Sequence, residues 1–309
     1  MDDWRGDLAR DFVPLRVLGG VHALVLSGEA PGLATHYPSA GGAPSFPAAW
    51  REFLAVIETF EPRLRDGLSS VPQTNEVARS CSLIGGFLRI ADRFSHPLRL
   101  CELGASAGLN QYCDKHRYQL GDFSWGPEEA ALTLRCDWRG GAPALAAPLS
   151  VAVRSGCDRA PIDLGEPADR IRLMSYFWPD QVERIERLRR AIDVALADPV
   201  KLTRANASDW LAAELEAGLP QNLTTVVFHS SFWSYLDDAE QAAIRRHIER
   251  AARMASDEAP LAWLRVEEDG PGVAIELTYW PGGVEERLGT ASAHGAWVEW
   301  GPPEQPVAG

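Results

Sequence analysis

Apolar positions recur three and four residues apart through the first part of the chain, as in amphipathic helices. The pattern is clearest in residues 53–64 and again in residues 77–88. No segment before residue 95 alternates apolar and polar positions as a half-buried strand does. Residues 1–95 are therefore predicted to form a helical cap.

Short apolar runs alternate with helical patterns after residue 95. The strand-like runs are residues 98–103, 149–153, 200–205, 224–228 and 261–267. The longest helical pattern between them spans residues 180–196. Strands that alternate with helices are typical of a mostly parallel sheet with helices on both faces.

The end of the chain changes this pattern. Residues 273–280 and 287–293 alternate apolar and polar positions on either side of a Pro-Gly-Gly turn, which predicts an antiparallel hairpin at the sheet edge. A second hairpin is predicted as an insertion at about 118–148. The predicted organisation is a cap over 1–95, an α/β domain over 96–300 and a disordered tail over 301–309.

Residues 98–110, LRLCELGASAGLN, carry the clearest motif. An apolar strand reaches the acid Glu102 and enters a turn of small residues containing Gly104 and Gly108, as at the start of a nucleotide-binding strand–loop–helix unit. The same letters spell Gly-x-Ser-x-Gly around Ser106, which is the pattern of a hydrolase nucleophile elbow. The motif alone leaves both interpretations open.

Composition limits the classes of partner and the cellular compartment that we expect for this chain. The net charge of -13 over 309 residues opposes binding to a phosphate backbone, so nucleic acid is an unfavourable partner. The five cysteines are odd in number and never form Cys-x-x-Cys, which indicates free thiols, a reducing cytoplasm and no metal site. The apolar run 17–26 is too short to cross a bilayer, and the first residues lack a signal-peptide pattern. We expect a cytoplasmic protein that acts on a small molecule; the sequence does not indicate an oligomeric state.

Polar residues follow several of the predicted strands. Asp158, Asp209 and His229 stand after three of them, and the carboxyl ends of parallel strands meet at one edge of a sheet. In the cap, a Pro/Gly-rich loop contains Tyr37, and the polar cluster 73–76 opens a helix. Thr74 as a helix N-cap is the structural interpretation of that cluster, and contact with a ligand is the functional one.

The order of these elements resembles the class I S-adenosylmethionine-dependent methyltransferases. Their first motif reads acid-x-Gly-x-Gly-x-Gly, which Glu102, Gly104 and Gly108 match, while Ser106 stands at the central glycine. The resemblance implies a doubly wound, mostly parallel seven-stranded Rossmann-like sheet. It also implies S-adenosylmethionine as the cofactor, held over residues 104–108.

The resemblance extends to individual site residues. The cofactor-binding candidates are Glu102, Gly104, Ser106, Gly108, Asn110, Asp158 and Asp209. Asp158, or alternatively Asp163, would hold the ribose hydroxyls, and Asp209 would approach the adenine amino group. The acceptor candidates are Tyr37, Gln73, Asn75 and Trp233, and the candidate bases are His229 and His294.

Most of the chain is also identified as a member of an uncharacterised bacterial domain-of-unknown-function family, number 2332. The matching stretches are residues 36–39, 73–79, 102–110, 178–181 and 294–297. Membership of this family implies no particular activity.

Two alternatives to the methyltransferase remain. A serine hydrolase would use Ser106 as nucleophile, with His229 or His294 as base and Asp158 or Asp209 as acid. No strand pattern and no His-Gly-Gly stretch precede Ser106, which disfavours this alternative. A protein of the same fold could instead bind a ligand without catalysis, since no Asn-Pro-Pro-Tyr sequence follows the fourth strand.

Overall fold

The computed structural model describes residues 6–8, 11–270 and 272–301. Apart from Gly301, the predicted tail lies outside the described residues. The chain forms two compact units. One comprises the described parts of Met1–Asn75 together with Ile162–Leu196, and the other the described parts of Glu76–Pro161 and Ala197–Gly309.

The helices and strands are numbered here in chain order. The helices are α1 Val13–Leu26, α2 Pro31–Ala34, α3 Phe46–Gly67, α4 Ser80–Phe94, α5 Pro167–Ser175, α6 Val182–Ala197, α7 Ala207–Glu216 and α8 Asp238–Ala252. The strands are β1 Leu98–Leu103, β2 Arg117–Leu120, β3 Phe123–Trp125, β4 Thr133–Gly140, β5 Val151–Asp158, β6 Leu202–Arg204, β7 Thr224–Ser230, β8 Leu261–Asp269, β9 Gly272–Trp280, β10 Val284–Ala291 and β11 Trp297–Trp300.

The first unit is helical, as predicted for the start of the chain. α1 packs closely on α5 and α3 because Gly19 and Gly20 carry no side chain where Tyr176 and Leu64 approach; an added Cβ would lie 2.8 Å from either side chain. Buried His22 on α1 is near Ser39 Oγ (2.8 Å) and the Ser175 carbonyl (3.1 Å). These contacts join separate segments of the unit.

The second unit is a mixed sheet of eleven strands in the order β3-β2-β4-β11-β10-β9-β8-β7-β1-β5-β6. The strands from β6 to β8 are parallel, and β9 pairs with β8 antiparallel. β9 and β10 form the predicted antiparallel hairpin, but its predicted place at the sheet edge is wrong, because β11 pairs with β10 and continues the sheet. The predicted total of seven strands is wrong. The segment predicted as an inserted hairpin provides β2, β3 and β4, and β4 extends the sheet by pairing with β11.

The division between the units differs from the predicted boundary at residue 95. Helix α4 belongs to the second unit, where Gly85 and Gly86 allow it to lie against Trp300 of β11 and Leu264 of β8; an added Cβ at either glycine would lie 2.4 Å from these side chains. In turn, most of α6 and all of α5 belong to the first unit. The helical periodicity of α4 resembles that of a cap helix, so its partner could not be read from its pattern.

Local sequence explains the elements next to the candidate site. The β-branched and apolar residues 224–228 form a strand that is buried on both faces. Helix α8 begins at a capping box in which Asp237 accepts from the Glu240 N–H and Glu240 accepts from the Asp237 N–H. Among the described residues, no helix is long and apolar enough to span a membrane.

The order in which parallel strands are added to the sheet reverses between β1 and β7. After β1 the chain forms β2, β3 and β4 at the far end of the sheet, then β5 and β6 on one side of β1, and then β7 on the other side of β1. Ligands of open α/β sheets bind outside the carboxyl ends of the strands at such a reversal. The segments after β1, β5 and β7 are therefore the place to look for a site.

His116 gives the second unit a predictable sensitivity to acid. Its ring is fully buried, both ring nitrogens lack hydrogen-bond partners among the described residues, and burial lowers its pKa to about 4. In the unfolded chain His116 binds a proton near pH 6.5, whereas in the folded protein its ring stays neutral down to about pH 4. The contribution of the neutral His116 ring to the free energy of unfolding is therefore present above pH 6.5 and is lost as the pH falls towards 4. Between pH 7 and pH 4, the free energy of unfolding of His116→Leu should fall by up to about 3 kcal/mol less than that of the wild type. Urea unfolding across this pH range measures the difference.

The control for this prediction is His247→Leu, which changes a partly exposed histidine of α8. This variant should keep the acid sensitivity of the wild type. An equal loss of acid sensitivity in both variants would show that the effect does not come from the burial of His116.

Candidate functional site

The loop after β1 has an unusual backbone. Gly104, Ser106 and Gly108 all have positive φ, at 66°, 53° and 72°. Glycine adopts this region without strain, whereas serine does so at a cost. A Cβ on Gly104 would also lie 2.3 Å from the ring of Phe232, which follows β7. The loop therefore depends on glycine both for its conformation and for its contact with that ring.

Three backbone N–H groups of this loop already donate hydrogen bonds within the protein. The Ala105 N–H donates to the Cys157 carbonyl (2.9 Å), and the Gly108 N–H donates to the Ala105 carbonyl (2.7 Å). The Ser106 N–H donates to Asp158 Oδ2 (2.9 Å). A phosphate-binding loop instead points such N–H groups at its ligand.

Asp158 holds the loop from the end of β5. While Oδ2 accepts from Ser106, Oδ1 accepts from the Ala160 N–H (2.8 Å). Asp158 thus orders both its own turn and the glycine loop. The sequence predicted that the segment 102–110, Asp158, Asp209 and His229 meet at one edge of the sheet; the hydrogen bond between Ser106 and Asp158 joins the first two of these.

Glu102 is the ionisable group of this site with the most perturbed pKa. Its side chain is 3% exposed, and Oε2 has no hydrogen-bond partner among the described residues. Burial raises the pKa of Glu102 to about 8, and the charge of Asp158 adds to the rise; the Gln111 amide, which lies near the carboxyl group but outside hydrogen-bond geometry, offsets a part of it. Glu102 is therefore mostly protonated at neutral pH, and its carboxyl group can donate as well as accept.

Gln111 is a site residue that the sequence analysis missed. It lies in the short 3-10 turn Leu109–Tyr112 after the loop, is fully buried, and neither its amide nitrogen nor its amide oxygen has a partner in the described part of the chain. The amide lies above Gly156 of β5, where an added Cβ would be 2.7 Å from Nε2. The available signal was a long polar side chain three residues after Gly108, in a segment that is otherwise buried.

Ser106 and Asn110 have different roles. The Ser106 hydroxyl is buried and without a hydrogen-bond partner among the residues described. Asn110 Oδ1 accepts from the hydroxyl of Ser80 at the start of α4 (3.0 Å). Asn110 therefore ties the end of the loop to α4, while Ser106, Glu102 and Gln111 present buried polar atoms that remain unsatisfied.

His229 at the end of β7 is part of a closed hydrogen-bond network. The indole N–H of Trp263 donates to His229 Nε2 (3.1 Å), so the ring proton is on Nδ1, which donates to Glu267 Oε1 (2.5 Å). The ring is fully buried and stacks on Trp233 at 5.1 Å. Both nitrogens are used, so in this arrangement His229 has no site for a substrate proton.

Glu267 connects this network to the segment after β7. Besides the His229 proton, its carboxylate accepts the backbone N–H groups of Phe232 and Trp233, each at 3.1 Å. The segment is strained at Ser231, whose φ is 48°. The Glu267 contacts thus fix the turn that places the Phe232 ring on the glycine loop.

The other candidate residues are more dispersed. Asp209 is exposed in the first turn of α7, whose N-cap is Asn206, and His294 is exposed in the turn between β10 and β11. Tyr37, Gln73 and Asn75 belong to the first unit, where the Tyr37 ring lies 5.7 Å from that of His22. Their contact with an acceptor stays a prediction, as does the adenine contact of Asp209.

The hydrolase interpretation lacks its base. The Ser106 hydroxyl contacts no histidine among the described residues, and Asp158 binds backbone N–H groups. His229 is engaged by Glu267 and Trp263. A nucleophilic serine needs a base within hydrogen-bond reach that is oriented by a third group, and these residues do not form that arrangement. No group of three or more potential metal-ligating side chains is present in the described residues.

Comparison with known proteins gives one family and a distant structural similarity. A family model described as "Uncharacterized protein conserved in bacteria (DUF2332)" matches residues 1–300. No curated protein matches the chain. The solved structure titled "DhpI-SAH complex structure" is similar with a TM-score of 0.23 and 11% sequence identity, over 69% of this chain and 76% of that chain.

Proposed function

Because the chain belongs to the uncharacterised bacterial family DUF2332, as its motifs predicted, we propose a function from the site itself. The second unit binds S-adenosylmethionine at the loop after β1 and transfers its methyl group to a small molecule. The reversal of the strand order between β1 and β7 supports this location.

The observation that carries the proposal is the group of buried, unsatisfied polar atoms around the loop. Glu102 Oε2, Ser106 Oγ and both amide atoms of Gln111 lack partners among the described residues. A buried polar atom without a partner costs about 1–3 kcal/mol, which a bound ligand with matching donors and acceptors would recover. These residues fit the amino-acid and nucleoside groups of a methyl donor.

The charges near the loop favour a donor without phosphate. Three of its N–H groups are used internally, and the nearest basic residue in the segment after β5, Arg159, forms an ion pair with Glu240. A pyrophosphate would thus meet few free donors, whereas the Asp158 carboxylate favours a cationic ligand. S-adenosylmethionine is a nucleoside with a sulfonium and an ammonium group and no phosphate.

The chain's contribution to catalysis would be binding, orientation and exclusion of water. The bound cofactor supplies an electrophilic methyl group. Asp158 keeps the loop in place, and the Glu267 network keeps the Phe232 ring against Gly104, so that solvent is excluded from that side. Holding two reactants in line can supply up to about 7–11 kcal/mol of the barrier, without a further catalytic group.

Finer assignments belong to the same proposal. Asp158 would contact the ribose and Asp209 the adenine, with an acceptor contact from Trp233. A proton from the acceptor would go to His294 or to solvent, since both nitrogens of His229 are used.

Calorimetry with four ligands tests the choice of cofactor. We expect S-adenosylmethionine and S-adenosylhomocysteine to bind and to raise the thermal stability, by about 2.7 kcal/mol at about 100 times the dissociation constant. ATP and NAD should not bind at the same concentrations, because the loop offers few free N–H groups. If neither adenosyl ligand binds at millimolar concentration, the proposal is wrong. Binding without any methyl transfer would favour the non-catalytic alternative.

Gln111→Leu separates ligand binding from stability. Leucine removes two unsatisfied polar atoms, so the ligand-free protein should be as stable as the wild type or more stable. The affinity for S-adenosylhomocysteine should fall about tenfold or more, since the ligand loses its amide partner. Both quantities are measured by calorimetry, and Gln221→Leu, at an exposed glutamine, is the matched control. Unchanged affinity in Gln111→Leu would exclude Gln111 from the binding site.

A further inference from the structure

The helical first unit contains a cavity between α1, the end of α3 and α5. Its volume is about 480 Å³, within the range of about 300–1,000 Å³ that small-molecule sites have. The cavity opens to solvent, because Ser27 and Arg63 at its edge are exposed. Every described residue that lines it belongs to the first unit, whereas the loop after β1 belongs to the second. The cavity is therefore a site separate from the proposed cofactor loop.

Part of the cavity wall is apolar. It is formed by Ala23 and Leu24 of α1, Leu64 of α3 and Ile171 of α5. Leu24 and Leu64 are buried members of the hydrophobic core of this unit. Burial of an apolar ligand group against such a wall is favourable, because it removes apolar surface from water. A ligand that fits this cavity thus has an apolar body.

Another part of the wall is cationic. Arg16, Arg63 and Arg172 line the cavity, and Glu29 is the acidic residue among the described lining residues. Arg63 forms an ion pair with Glu29, so these two charges offset each other. The lining therefore carries an excess of positive charge, although the net charge of the whole chain is -13.

Two polar groups of α5 and its C-terminal end can bind a ligand. Among the described residues the charged partner of Arg172 is Asp169, whose Oδ1 lies 3.5 Å from Nη2. This distance is longer than the roughly 2.7–2.9 Å of a charge-assisted hydrogen bond, so the guanidinium group keeps its donors for a ligand. The Tyr176 hydroxyl has no hydrogen-bond partner in the described part of the chain. Burial raises the pKa of Tyr176, and the charges of Arg172 and Arg16 oppose the rise, so both guanidinium groups lie near this hydroxyl.

The backbone holds Arg16 in place beside the cavity. Its Nε donates to the Asp11 carbonyl (2.8 Å), and its Nη1 donates to the Leu68 carbonyl (2.7 Å). These hydrogen bonds fix the guanidinium group before a ligand arrives, which reduces the entropy lost on binding. The positive charge at this end of the cavity is therefore preorganised.

We propose that this cavity binds a small carboxylic acid with an apolar body, such as a medium-chain aliphatic or an aryl-substituted carboxylate. The carboxylate lies at Arg172 and Tyr176, with the charge of Arg16 nearby. The apolar body lies against Leu64 and Ile171. A guanidinium group can bind a carboxylate through two parallel hydrogen bonds, and a tyrosine hydroxyl can donate a third.

The charges and the apolar wall together select this class of ligand. The guanidinium groups would repel a cation. A neutral apolar molecule would displace water from these groups without replacing its hydrogen bonds. A free phosphate would pair with the charges but would leave the apolar wall in contact with water.

Calorimetry of the full chain with four probes tests the proposal. Octanoate, octanol and octylamine share one apolar chain and differ in the charge of the head group, whereas inorganic phosphate has no apolar part. Octanoate should bind at millimolar concentration or below, and each of the other probes should bind about tenfold more weakly or less, because octanoate alone combines an anion with an apolar body. Absence of octanoate binding, or equal binding of any other probe, would overturn the proposal.

Two variants locate the bound octanoate. Arg172→Gln removes the charge and keeps a polar side chain, so the affinity for octanoate should fall about tenfold or more while that for octanol is unchanged. Ala23→Leu adds volume inside the cavity without changing a charge, so it should weaken the binding of both probes. Arg190→Gln, at an exposed arginine of α6 that pairs with Glu186, is the matched control and should bind octanoate like the wild type.

Circular dichroism verifies that each variant is folded. If Arg172→Gln binds octanoate as tightly as the wild type does, the carboxylate does not lie at Arg172 and the proposed anchor is wrong. If Ala23→Leu also leaves the affinity unchanged, octanoate binds outside this cavity and the proposal as a whole is overturned.

Discussion

Replacing Glu267 with alanine should lower the free energy of unfolding by about 3–5 kcal/mol, one of the largest effects of any single substitution in this chain. The Glu267 carboxylate accepts three hydrogen bonds, from His229 Nδ1 and from the backbone N–H groups of Phe232 and Trp233. Alanine would leave these donors unsatisfied beside the fully buried His229 ring. Urea unfolding followed by circular dichroism measures the loss.

Glu268→Ala is the matched control, since the neighbouring Glu268 is exposed on the same strand and its removal leaves no buried donor. Its effect should stay within about 0.5 kcal/mol. A loss of less than about 1 kcal/mol in Glu267→Ala would show that the three hydrogen bonds do not hold the segment after β7.

The effect of Glu267 extends to the proposed cofactor site. The segment that it orders presents Phe232 to Gly104, so a folded variant with a weaker network should bind S-adenosylhomocysteine less tightly, although Glu267 is not assigned to the ligand. Glu267 is in this sense a positioning residue.

Much of the second unit could be predicted because its strands are locally distinctive. Residues 224–228 are apolar and β-branched throughout, which fits a strand buried on both faces, and the glycine turn after β1 appears directly in the sequence. The two strands of the terminal hairpin alternate on either side of a Pro-Gly-Gly turn. In each case the determining residues are neighbours in the chain.

The rest depends on partners that are distant in sequence. Whether β4 ends in a separate hairpin or extends the main sheet is decided by β11, which follows far later in the chain. His229 could be read as a base or as a structural residue until Glu267 and Trp263 were placed on its two nitrogens. Gln111 showed no motif, because its significance comes from burial without a partner.

Replacing Glu102 with glutamine should remove a large dependence of stability on pH. The pKa of Glu102 is about 8 in the folded protein and about 4.5 when unfolded, so between these values the native state holds a proton that the unfolded state has released. The stabilisation from this proton is therefore fully present below pH 4.5 and is lost as the pH rises through 8, by up to about 5 kcal/mol in all.

Urea unfolding at intervals from pH 5 to pH 9 would measure this effect as the difference between the wild type and Glu102→Gln, since glutamine stays neutral throughout. As the pH rises between the two pKa values, the free energy of unfolding of the variant should increase relative to that of the wild type by about 1.4 kcal/mol per pH unit. Glu129→Gln, at an exposed glutamate, should follow the wild type. If the free energies of unfolding of the wild type and Glu102→Gln changed in parallel over this pH range, burial would not have raised the pKa of Glu102. Glu102 would then present a carboxylate at neutral pH, and the conclusion that its carboxyl group is protonated and able to donate would be wrong.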